Sequence, residues 1–129
     1  MLEIGLTHEK EITVTDDMSA ISMHSGGLQV YATPSMIALM EEAALECVAD
    51  HVGEGNGTVG TSLNVQHIAP TPVGMKARAV ATVTAVEGRK ITFSVEAYDE
   101  FEKIGFGTHE RFIIDNARFQ AKCDGKKCK

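Results

Sequence analysis

The stretch Thr33-Pro34-Ser35-Met36-Ile37-Ala38-Leu39-Met40-Glu41-Glu42-Ala43-Ala44-Leu45-Glu46-Cys47-Val48-Ala49-Asp50 decides the fold. Thr33-Pro34 is a helix start. A threonine at the N-cap accepts a bond from an orphan backbone N–H, and proline at the first helical position already has a helical φ. The pattern predicts one long helix from about Pro34 to His51, with Gly53 as its stop. Met36, Ile37, Met40, Ala43, Ala44, Cys47 and Val48 make a wide apolar stripe, while Glu42, Glu46 and Asp50 occupy the other side. A helix this apolar needs other structure wrapped around it.

Strand patterns flank the helix. Residues 9–15, KEITVTD, alternate as a first strand. Residues 16–27 are irregular and end in Ser25-Gly26-Gly27, and a short extended piece, LQVYA, leads into Thr33. After the glycine-rich turn from Gly53 to Gly57, strands are predicted over 58–69, 75–86, 90–99 and 103–114. Pro70-Thr71-Pro72-Val73-Gly74 breaks the first two apart, and Glu87-Gly88-Arg89 has the composition of a hairpin turn. Short links imply antiparallel pairing of successive strands. One strand, one long helix and four strands make an α+β layer arrangement in a single domain over residues 1–129. The polar residues from about 120 read as a partly disordered tail.

Composition narrows the function. A chain of 129 residues with 43% hydrophobic and 23% charged residues is an ordinary globular domain. Its net charge of -6 lacks the basic face of a nucleic-acid binder, but leaves room for a local basic site for a phosphate-bearing ligand. Three cysteines, Cys47, Cys123 and Cys128, are too few and too odd for a disulfide framework and suit a reducing cytosol. Cys123 and Cys128 alone do not make a metal site. No signal-peptide pattern and no apolar run of roughly 20 residues is present, so a cytoplasmic protein without membrane contact is expected. Phosphate loops, dinucleotide fingerprints, metal-spaced histidine pairs and a serine nucleophile elbow are absent.

Several residues are candidates for chemistry. Glu41 has Ile37, Ala38, Ala44 and Leu45 as its helical neighbours, so no local cation pairs with it. It either reaches solvent at the edge of the stripe or is partly buried, where a carboxylate suits general-base or nucleophilic work. His67 shares its strand parity with Leu63 and Val65, which points it towards the helix as a satisfied core residue or as a catalyst. Thr33 is a plain helix cap or, at a helix N-terminus that favours negative charge, an aid to an oxyanion. Gly60 permits close approach of a ligand or marks a bulge. Arg111 either polarises an oxygen or pairs with carboxylates on the sheet surface.

Three segments carry a resemblance. ATPSMIALMEEA (32–43), VGTSLNVQHIAPTPVGM (59–75) and GTHERFII (107–114) together resemble the hotdog-fold acyl-CoA thioesterases, in particular the branch that includes fluoroacetyl-CoA thioesterase. The resemblance runs from about Tyr31 to Phe119. It implies the hotdog fold, a curved antiparallel sheet wrapped around one helix, and hydrolysis of a thioester to a free acid and coenzyme A. It implies Thr33, Glu41 and His67 as the catalytic group, with Gly60 and Arg111 holding the thioester. The implied substrate is an acyl-CoA or another pantetheine thioester, with no cofactor or metal. The implied assembly is a homodimer, or a dimer of dimers, with sites at the subunit interface. In that branch an aromatic gate sits on the lid before the helix; here the region reads HSGGLQVYATP and the gate position falls on Gly27, which argues against fluoroacetyl-CoA as substrate. A non-catalytic acyl-CoA binding module or sensor on the same fold is the alternative. A hotdog dehydratase or hydratase would show a different His/Asp arrangement.

Overall fold

We describe residues 2–129 from a computed structural model. The elements are β1 (Thr7–Thr13), α1 (Thr33–Val48), β2 (Asn56–His67), β3 (Lys76–Glu87), β4 (Lys90–Asp99), β5 (Lys103–Asp115) and α2 (Asn116–Asp124). The strands form one antiparallel sheet in the order β1-β3-β4-β5-β2. The sheet wraps α1, the layout that the resemblance implies.

The core lies between α1 and the inner faces of β3 and β4. Ala77, Ala79, Ala81 and Val83 on β3, and Ile91, Phe93, Val95 and Ala97 on β4, alternate inward at the strand period of two. They meet Met36, Leu39, Met40, Ala43, Ala44, Cys47 and Val48, which recur at helical spacing. Close packing also explains Gly105: a Cβ there would lie 2.5 Å from the Met36 sulfur, which could turn aside, and 2.9 Å from the Gln66 carbonyl oxygen of the paired strand, which could not.

The structure corrects several expectations. Successive strands do not all pair: β2 lies beside β5, and residues 68–75 carry the chain across to β3 at the far side. Pro70 and Pro72 sit in that link and lack the N–H groups of a tight ladder. Backbone contacts tie the link instead to the approach to α1, where the Tyr31 N–H donates to the Thr71 carbonyl at 2.8 Å. Thr33 does not cap the helix; Ala32 occupies that position and no side chain caps it. The helix proper ends at Val48, and a 3-10 turn over Ala49–His51 completes the predicted length before Gly53, at φ 98°. The expected tail is instead the helix α2, capped by the Asp115 carboxylate, which accepts from the Arg118 N–H at 3.0 Å. Among the described residues no helix is long and apolar enough to cross a membrane.

Candidate active site

α1 and β2 bring Thr33 and His67 together. The Thr33 hydroxyl and His67 Nδ1 are hydrogen-bonded at 2.7 Å, so the hydroxyl is engaged by the imidazole rather than by the helix backbone. The imidazole's other nitrogen, Nε2, is buried and has no hydrogen-bond partner among the described residues. A buried polar atom of this kind is costly unless something meets it in the working state. Burial pushes the His67 imidazole below the usual histidine value, against a smaller upward pull from the backbone at Ala69. The ring is therefore neutral near pH 7 and able to accept a proton. A cavity of about 270 Å³ opens here, lined by Ala20, Ser25, Tyr31, Thr33, His67 and Ile68.

Glu41 belongs to a second cluster. One of its oxygens, Oε2, lies 2.9 Å from where a Cβ of Gly60 would be. The glycine thus makes room for the carboxylate, and a bulge in β2 follows it between Gly60 and Ser62. The bulge expected at Gly60 is present, and the close approach there is made by the chain's own Glu41. Among the described residues Glu41 forms no hydrogen bond or ion pair of its own, though it lies in the field of Arg111. A cavity of about 380 Å³ borders it, lined by Ala38, Glu41, Glu42, Leu45 and Arg111.

Arg111 is not the surface ion-pair residue that its segment suggests. It is only 5% exposed. Its Nε donates to the Thr58 hydroxyl at 2.7 Å and its Nη2 to the Thr58 carbonyl at 2.9 Å. Its Nη1 lies 3.1 Å from His109 Nε2, and His109 Nδ1 lies 2.9 Å from the Ser62 carbonyl. A carbonyl only accepts, so Nδ1 carries the proton and Nε2 accepts from the guanidinium. His109 is therefore a positioning residue that fixes one arm of Arg111. Sequence reading passed over it, although odd-numbered parity on β5 already placed it on the face of Arg111.

Burial, and next the charge of Arg111, push His109 below the ordinary histidine value; the Ser62 carbonyl and Glu41 pull the other way. Both His67 and His109 thus bind protons less readily folded than unfolded. Below the ordinary value of about 6.5 the unfolded chain takes up the extra protons, so stability is full above that pH and is lost as pH falls. The thermal midpoint is expected to drop between pH 7 and pH 5. His109→Asn, which keeps a donor for Ser62 but cannot titrate, is expected to cost about 1–3 kcal/mol at pH 7 and to flatten that drop. An unchanged pH slope in the variant would remove His109 from this account.

Within one protomer the two clusters stay apart. Thr33 and Glu41 are separated along α1 by about 12 Å at 1.5 Å per residue. Gly60 lies seven residues before His67, the last residue of β2. The chain therefore carries two separate clusters. One offers a neutral imidazole with a hydroxyl; the other offers a free carboxylate beside a buried cation.

The chain is similar to several known proteins in sequence and fold. A family model described as fluoroacetyl-CoA-specific thioesterase matches residues 14–117. The fluoroacetyl-CoA thioesterase of Streptantibioticus cattleyicolor is 40% identical over 94 residues, which is 73% of this chain and 68% of that protein. A solved mutant of the fluoroacetyl-CoA thioesterase FlK, in complex with acetyl-CoA, aligns with a TM-score of 0.92 at 30% identity, covering 97% of this chain and 98% of that one. A hot-dog-like protein from Thermanaerovibrio acidaminovorans aligns with a TM-score of 0.87 over 97% of this chain and 93% of that one; at 21% identity it speaks to the fold alone. The chain has the hotdog fold and belongs to the fluoroacetyl-CoA-specific thioesterase family, a family of thioester hydrolases.

Proposed function

We propose that this protein hydrolyses an acyl-CoA to a free acid and coenzyme A, at sites built by two copies of the chain. The observation that carries this reading is the pair of complementary half-sites: an unpaired Glu41 carboxylate and an unpartnered His67 Nε2. A family relative that holds acetyl-CoA supports a coenzyme A thioester as the substrate. A cytoplasmic setting fits three free thiols.

The assembly follows from the edge of the sheet. β2 is an edge strand, and an unpaired edge is a template for another strand. Residues 60–64 are all exposed, and the apolar Leu63 and Leu45 are 37% and 40% exposed. The midpoint between Gly60 and His67 falls between Leu63 and Asn64, inside that run. A two-fold antiparallel pairing of β2 with β2 about this point sets Gly60 and Glu41 of one copy against Thr33 and His67 of the other. Such an isologous contact completes two equal sites.

The chemistry then assigns a role to each group. Gly60's backbone and the N-terminus of α1 polarise the thioester carbonyl. Glu41 takes a proton from water as the water oxygen bonds to the carbonyl carbon; the tetrahedral adduct collapses, the C–S bond breaks, and the departing sulfur receives that proton, passed on from Glu41 through His67, which Thr33 orients. In the second route the Glu41 carboxylate itself attacks the carbonyl carbon, the C–S bond breaks and coenzyme A leaves as a thiolate; water then opens the anhydride, releasing the free acid and restoring the carboxylate, and the proton that water gives up ends on the thiolate through His67. Arg111 sets the field around the carboxylate. The test is thiol release from acyl-CoAs of increasing chain length. Binding without turnover would make the protein a binding module instead.

The acyl group is proposed to be something other than fluoroacetyl, because the gate position of the resemblance falls on Gly27. Gly27 has no side chain, and a Cβ there would meet nothing within 4 Å. Gly27→Phe is therefore expected to be accepted at its Cβ and, two residues from Ser25 on the cavity's lining, to narrow the Thr33–His67 cavity from the loop. It should lower kcat/KM for long acyl chains by about tenfold while sparing acetyl-CoA. An unaltered chain-length profile would sink the gating argument.

A further inference from the structure

We propose that α2 and the basic residues around it bind the phosphate-bearing nucleotide end of the coenzyme A thioester. This rests on the thioesterase reading above and extends it to the charged end of the substrate.

The first observation is a charge asymmetry. Residues 116–129 carry five basic residues against one acidic, a net of +4, while the preceding 115 carry seven basic against seventeen acidic, a net of -10. A body that acidic repels a polyanion bearing a diphosphate and a 3′-phosphate. Nor do its own cations offset this. Lys10, Lys76, Arg78, Lys90 and Lys103 each lie within 4 Å of a carboxylate, and Arg111 is buried on Thr58. Among the described residues Arg89, Arg118, Lys122, Lys126 and Lys127 have no carboxylate partner.

The second observation is the shape of this end of the molecule. A surface cavity of about 380 Å³ is lined by Arg89, Ile114, Asp115, Arg118, Phe119 and Lys122. The Asp115 carboxylate is engaged by the Arg118 backbone N–H as the cap of α2. Three cations thus surround an apolar wall made by Ile114 and by Phe119, which is 46% exposed. Cations beside an open aromatic ring suit a phosphorylated adenine nucleotide: guanidinium and ammonium groups take the phosphates, and the ring stacks the base. α2 buries none of its residues, so packing does not account for its sequence.

The third observation is position. Ile114 pairs with Gly57 on the same strand pair that sets Arg111 opposite Gly60. The cavity therefore lies three residues further along, roughly 10 Å at the rise of a strand. The pantetheine arm holds the nucleotide away from the thioester, which calls for a cationic site displaced from Glu41 in this way.

The test compares wild type with R118E/K122E, and with R118Q/K122Q as a milder pair. Both leave the Asp115 cap intact, since the bond runs to backbone. Substrates are one acyl-CoA, the same acyl 3′-dephospho-CoA and the same acyl N-acetylcysteamine thioester, which has no nucleotide. For acyl-CoA the charge reversal is expected to raise KM about tenfold with kcat kept, and to abolish the rise of KM with salt expected of wild type. The shift should shrink for the dephospho substrate and vanish for the N-acetylcysteamine thioester. An equal KM for acyl-CoA in wild type and R118E/K122E would overturn the proposal. So would a variant that keeps acyl-CoA turnover but loses an acylated carrier protein, since the patch would then serve an acidic protein. Calorimetry with free coenzyme A separates this from the thioesterase reading: weaker binding in the variant supports the site even where no thioester turns over, and equal binding rejects it.

Discussion

Glu41→Gln is expected to abolish thioester hydrolysis while leaving the protein folded. The amide keeps the size of the carboxylate, and Gly60 leaves space for it. Among the described residues no hydrogen bond or ion pair of Glu41 is lost, so the melting transition should move by no more than a surface substitution does, about 0.5 kcal/mol. The chemistry loses everything the carboxylate supplies. A neutral amide cannot take a proton from water and cannot attack a carbonyl. General-base removal alone costs about 100- to 10,000-fold in kcat, and loss of a nucleophile costs more. Ellman's reagent reads the released thiol directly. Activity within tenfold of wild type would take Glu41 out of the catalytic role, and retained coenzyme A binding alongside lost turnover would confirm that chemistry, not substrate capture, was removed.

Mixing two inactive variants is expected to restore activity. Glu41→Gln and His67→Ala each disable both sites of their own homodimer if every site draws its carboxylate from one copy and its imidazole from the other. In a heterodimer of the two, one site receives both lesions and the other receives none. Random exchange at equal amounts gives half heterodimers with one working site in two, so about a quarter of wild-type turnover should return. Sites contained within one chain predict no recovery, because each chain still lacks one group. Disrupting the edge offers the companion measurement. Leu63→Lys puts a charge on each side of the proposed two-fold, which should yield folded monomers without turnover. A dimer that survives this change would locate the interface elsewhere.

Much of the scaffold was legible because its signals are local. Thr33-Pro34 starts α1 and Gly53, at positive φ, follows its end, as backbone sterics require. The inward alternation of β3 and β4 and the two-residue turn at Gly88 follow from the period of a strand and the twist of a hairpin. β1 was displaced by two residues because alternation continues on both sides of Thr13, and Val14 still bonds to the Met75 carbonyl beyond the strand's end. The tail misled for a different reason. α2 has polar composition and buries nothing, so its helicity rests on the Asp115 cap rather than on an apolar stripe.

The sequence by itself determined the class of the fold, the long apolar helix, the positions of the strands and, through its three family segments, the family and the residues proposed for its chemistry. Those features are set by φ/ψ preferences and by side-chain periods of 3.6 and 2, which a few neighbouring residues express. Only the tertiary structure decided the rest: that β2 leaves its sequence neighbour for β5, that Thr33 binds His67 from 34 positions away, that Arg111 is buried on Thr58 53 positions away, and that Glu41 lies in a separate cluster beside Gly60. Contacts between distant residues depend on which surfaces the packed core leaves free to meet, and no local pattern of propensity or charge encodes that outcome.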